Sequence, residues 1–148
     1  KEKVNEIEFQ VNTNLPPNEG IFFDGQIFDA WQFVSLLIKD ASKSIVLIDN
    51  YVDETVLILL SKRNPGVKAT VFTGNISKQL ETDLKKHNKQ YMPIEIKLFT
   101  KAHDRFLIID QTTFYHIGAS LKDLGKKWFA FSKIDIDPGL ILNQLPKR

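Results

Sequence analysis

His103-Asp104-Arg105-Phe106-Leu107-Ile108-Ile109-Asp110 is the stretch on which the reading of this chain turns. Four consecutive apolar residues follow a histidine and an arginine set two places apart. A short, continuous apolar run of this kind fits a strand buried on both faces. Residues i and i+2 of a strand project to the same face, so His103 and Arg105 are expected to point together. An imidazole can attack phosphorus or move a proton, and a guanidinium can hold an anion bidentately. Together they suit phosphate chemistry. Asp110 stands seven places from His103, an odd separation, and is expected to face away and play a structural part.

Elements can be placed outward from this strand. Upstream, Ser44-Ile45-Val46-Leu47-Ile48-Asp49 is a second apolar run, read as a buried strand. Asp53 can cap a helix over residues 54–62, which Asn64-Pro65-Gly66 ends. A strand over residues 67–73 follows, then a helix capped by Ser77 and running to Gln90, then a strand over residues 94–99. Further upstream, Ile21-Phe22-Phe23-Asp24-Gly25 reads as a strand ending in a turn, and residues 28–41 carry helical apolar spacing. Downstream, Gln111-Thr112-Thr113 is expected to turn the chain into a return strand over residues 114–117. Residues 121–127 are polar, residues 129–134 suit a last strand, and Asp137-Pro138 a helix start. Helices alternate with strands first and hairpins come later. The expectation is an α/β layered fold with a mixed β-sheet flanked by helices. Ligand sites in such sheets gather at the carboxyl ends of parallel strands, here around Asp49-Asn50-Tyr51 and Thr73-Gly74-Asn75.

The bulk properties set limits. At 148 residues the chain has the size of one domain, and 43% hydrophobic residues suffice for a core. Residues 1–20, with Asn12-Thr13-Asn14-Leu15-Pro16-Pro17, read as a lead-in or linker from an upstream domain, and residues 21–148 as the domain itself. No apolar run approaches a membrane span, so no membrane partner is expected, and a cytoplasmic setting is. Cysteine is absent, which removes disulfides and thiolate metal sites. A net charge of +2 does not by itself argue for nucleic acid.

The pattern His103-x-Arg105-x4-Asp110, followed by Gly118-Ala119-Ser120, resembles the signature of the phospholipase D superfamily, His-x-Lys-x4-Asp and then Gly-Ser-x-Asn. The strand–helix–strand entry over residues 45–71 is similar as well, and the resemblance covers roughly residues 22–134. The nearest likeness is to single-motif bacterial proteins in which this domain follows a phage-type DNA-binding domain. The resemblance implies a phospholipase D-like fold and a nuclease-type phosphodiesterase needing neither metal nor other cofactor. His103 would form a phosphohistidine, with Arg105 on the phosphoryl oxygens. A homodimer would bring two copies of His103 to one cleft, and the partner would be nucleic acid or another phosphodiester. Asp110 and Gly118 would be structural motif positions, and Ser120 and Lys122 would contact phosphate.

Three departures motivate an alternative. Arg105 replaces lysine, Ala119 and Leu121 stand where serine and asparagine are expected, and residues 127–133 hold no acid to orient a nucleophile. The alternative is a catalytically degenerate module for dimerisation or nucleic-acid binding. His87 and His116 are read as packing residues, and Asp49 as a cap or loop residue. Phe22, Phe23, Phe28, Trp31 and Phe33 are read as core or dimer interface.

Overall fold

The computed structural model describes residues 17–146. Seven strands form one sheet: β1 (Glu19–Phe22), β2 (Ser44–Ile48), β3 (Lys68–Thr73), β4 (Ile94–Leu98), β5 (Arg105–Ile109), β6 (Thr113–Ile117) and β7 (Phe129–Lys133). The helices are α1 (Ile27–Asp40), α2 (Glu54–Leu60), α3 (Lys78–Gln90) and the short α4 (Pro138–Leu142), with a 3-10 turn at Leu121–Asp123. The expected mixed sheet flanked by helices is what the chain builds. Its strand order is β1-β7-β6-β5-β2-β3-β4, with β2, β3 and β4 parallel and the remaining pairs antiparallel.

Local chemistry explains the helix starts. Asp53 accepts a hydrogen bond from the Thr55 amide, Ser77 from Leu80 and Asp137 from Gly139, each satisfying a donor that the first turn leaves free. Pro138 takes the first position of α4, where its missing N–H costs nothing.

Packing divides the sheet into two unequal faces. Ile45, Leu47, Val71, Leu107 and Ile117 meet α1, α2 and α3 residues in the main core. Both β–α–β crossovers step in one direction along the sheet, so the right-handed rule places their helices on the same face. Ile48, Phe72 and Leu145 form a smaller cluster on the other face, where α4 lies. β2 is therefore buried from both sides, as its unbroken apolar run requires. Phe22 and Phe33 lie in the main core, but Phe28 is 70% exposed, which removes the core half of its core-or-interface reading. The helical spacing is satisfied instead by Ala30, Phe33, Val34, Leu37 and Ile38.

Two boundaries differ from the sequence reading. Most of the proposed lead-in lies outside the described residues, but Glu19 and Gly20 already pair with β7, and the Tyr115 hydroxyl donates to the Pro17 carbonyl at 3.0 Å. Burial pushes that phenol up to about 12. The hairpin turn falls one residue earlier than expected. Asp110 (φ 56°) and Gln111 (φ 59°) form its centre, and the Thr112 amide donates to Ile109. Two consecutive left-handed residues match the twist of the flanking strands, and aspartate tolerates that conformation. The strand read over residues 105–109 has those bounds as β5, and His103 stands two residues ahead of it.

Candidate phosphate site at the carboxyl end of the parallel strands

Because β5 runs antiparallel to β2, its first residue lies beside the last residues of β2. Ile48 pairs with Phe106, and Arg105 pairs with Ile117 of β6. One end of the sheet thus gathers Asp49-Asn50-Tyr51 after β2, Thr73-Gly74 at the end of β3, residues 102–105, and Gly118-Ala119-Ser120 after β6. Asp110 lies at the other end, five residues along from Arg105, about 17 Å away.

The signature is therefore split. Asp110 accepts bonds from the amides of Ser42, Lys43 and Ser44, at 2.6 to 3.0 Å, and from the Ser42 hydroxyl at 3.1 Å. Burial raises this carboxyl, but the four donors outweigh it and hold it below the usual carboxylate range. Asp110 fastens the β5–β6 hairpin to the loop between α1 and β2. Gly118 serves packing: its amide donates to the Ala130 carbonyl at 2.8 Å, and a Cβ on it would lie 2.8 Å from that same oxygen.

At the other end, His103 is exposed and Arg105 half-buried. Neither makes a hydrogen bond or ion pair with a described residue. The Arg105 guanidinium lies 6.0 Å from the centroid of the Tyr51 ring, and its charge reaches Asp49. The shared-face argument for His103 and Arg105 does not hold as stated, because strand geometry begins only at Arg105. What joins them is the loop and the strand end that carry them.

Asp49 is the floor of this end and was undervalued by sequence reasoning. It is fully buried and accepts bonds from the Leu121 amide at 2.8 Å, the Ser120 hydroxyl at 3.0 Å and the Tyr51 amide at 3.0 Å. Burial pushes its carboxyl up, and those donors with the nearby Arg105 charge only partly offset the rise. Ser120, expected at phosphate, instead turns inward. It is buried, and its hydroxyl lies within hydrogen-bond reach of Asp49 and of the Tyr51 carbonyl, 2.8 Å away. Lys122 stays near the rim with its ammonium 3.0 Å from Asp123, a bond that raises its pKa. His116, read as a packing residue, contacts the Phe106 ring and stands 3.0 Å from Asp104. Among the described residues no group of three or more His, Asp or Glu side chains could hold a metal ion.

No family model and no curated protein matches the chain. Solved structures do. Nuc from Salmonella typhimurium, a phospholipase D family member, superimposes with a TM-score of 0.61 at 16% identity, over 85% of this chain and 88% of its own. NucT from Helicobacter pylori gives 0.59 at 16% identity, over 85% and 89%. TrmBL2, an archaeal chromatin protein with a novel mode of DNA binding, gives 0.50 at 17% identity, over 97% of this chain and 57% of its own. The fold is that of the phospholipase D superfamily.

Proposed function

We propose that this chain is a phospholipase D-like phosphodiesterase of nuclease type, with His103 as nucleophile and Arg105 as phosphate anchor. The observation that carries the reading is the contrast within the motif. At the carboxyl end of β2, His103 and Arg105 have no hydrogen-bond or ion-pair partner among the described residues, while Asp110 is saturated by four donors. A free guanidinium at a sheet end is a ready bidentate phosphate site.

The chemistry needs two imidazoles, and a homodimer supplies the second. One His103 nitrogen attacks phosphorus, and the bond to the leaving oxygen breaks. The imidazolium of the second His103 gives that oxygen its proton. Water then attacks the phosphohistidine and passes a proton to the second imidazole, the phosphorus–nitrogen bond breaks, and both rings return to their starting states. Arg105 balances charge on the non-bridging oxygens throughout. Nucleic acid is favoured over lipid by the likeness to TrmBL2, a DNA-binding chromatin protein. In addition, no helix of the described residues is long and apolar enough to cross a membrane.

The second reading is a degenerate module that binds nucleic acid without cutting it. The inward-turned Ser120 and the absence of an acid from residues 127–133 favour it. Cleavage of a chromogenic bis-aryl phosphate and of end-labelled single-stranded DNA, with sedimentation of the same samples, separates the two. The enzyme reading expects a dimer whose activity falls roughly a hundredfold or more in His103→Ala, with Arg105→Lys retaining more than Arg105→Ala. Activity unchanged in His103→Ala overturns the assignment. Salt-dependent DNA binding without cleavage establishes the module instead.

A further inference from the structure

The loop that delivers His103 is held on both sides of that residue. The Asn50 side-chain amide donates to the Ala102 carbonyl at 2.7 Å. On the other side, Asp104 stands 3.0 Å from His116 of β6, and Arg105 enters the β5–β6 ladder opposite Ile117. Between these ties the His103 side chain makes no hydrogen bond or ion pair with a described residue.

The Asn50 contact has an unusual cost. A carbonyl can only accept, so the amide nitrogen must face Ala102 and the amide oxygen must face away. That oxygen is buried with no hydrogen-bond partner among the described residues. It sits over Gly74, where an added Cβ would lie 2.8 Å from it. An unpaired buried oxygen is unfavourable, so the side chain's own satisfaction does not explain its placement. The placement does fix the carbonyl next to His103.

We propose that Asn50 is a positioning residue for His103. Seated in the space that Gly74 leaves open, it sets where the β4–β5 loop lies and so the direction in which His103 leaves the backbone. The Asp104–His116 contact holds the far side. This supplies through the backbone the orientation that an acid beside the imidazole would otherwise give. The inference rests on the phosphate-site reading above, and it assigns the role to residues outside the His-x-Arg-x4-Asp motif.

The test uses the whole chain, isotope-labelled, with inorganic phosphate as probe. Amide order parameters of residues 102–104 and the phosphate dissociation constant, read from the His103 ring signal, are measured in the parent, Asn50→Ala and Gly74→Ala. Asn50→Ala removes the bond, and Gly74→Ala pushes the amide away by an independent route. Both are expected to loosen residues 102–104 and weaken phosphate binding roughly tenfold, with a cooperative melting transition retained. Order parameters and affinity unchanged in both variants overturn the positioning role while the phosphate site stands. A parent chain whose His103 signal ignores phosphate overturns the phosphate site and the positioning role with it.

Discussion

The two ends of the central strands carry two aspartates in opposite electrostatic states. Asp110, half-buried in its turn, is held low by amides from Ser42, Lys43 and Ser44. Asp49, fully buried beyond β2, is pushed up by burial even though three donors reach it. Around Asp110 the bonds close a hairpin onto a helix–strand loop, and nothing is left over for a ligand. Around Asp49 the floor is bonded, but at the rim His103 and Arg105 have no hydrogen-bond or ion-pair partner among the described residues. The saturated end stabilises the fold, and the other end, with the Arg105 guanidinium at its rim, is the one proposed for an anion.

The largest break in this comparison comes from Asp49→Ala. It strips the Leu121 and Tyr51 amides of their acceptor and leaves the Ser120 hydroxyl only the Tyr51 carbonyl. Buried donors left without partners cost about 1–3 kcal/mol each, partly relieved by water, so a loss of about 3 kcal/mol is expected in denaturant unfolding. A loss under about 1 kcal/mol would mean the floor is rebuilt by neighbours.

Asp110→Ala follows, at about 2 kcal/mol, from lost charge-assisted bonds and a left-handed backbone that alanine resists. The pH dependence gives its sign independently. The folded carboxyl lies below its unfolded value of about 3.9. Its contribution is therefore present above that value and lost as pH falls through the folded one. Asp49 runs the other way: its contribution is present at low pH and lost as pH rises through its raised folded value. Acid unfolding followed by circular dichroism should accordingly be shallower in Asp110→Asn and steeper in Asp49→Asn than in the parent.

The smallest effect sharpens the contrast most. Arg105→Ala removes a side chain with no hydrogen-bonded partner among the described residues, so stability should change by no more than about 0.5 kcal/mol while phosphate binding is lost. A large drop in melting temperature would show that Arg105 is part of the scaffold.

Much of the fold was legible before any coordinates. Asp53, Ser77 and Asp137 cap helices within three residues of themselves, and the apolar runs of β2 and β5 declare strands buried on both faces. The His103-to-Asp110 pattern proposes one edge of a site and a structural part for Asp110, whose carboxyl takes four donors. These signals are local, because a cap or a periodicity is written within one or two turns of chain. The sheet order was not local. Placing β5 beside β2 brings Ser120 to Asp49 across 71 residues, Asp110 to Ser42 across 68 and Asn50 to Ala102 across 52. Nothing in the sequence ties the two members of any of those pairs to each other. Only the antiparallel insertion of β5 decided that Ser120 turns inward and that Asp49 is the floor, because burial and hydrogen-bond partners are properties of neighbours that the chain brings together only by folding.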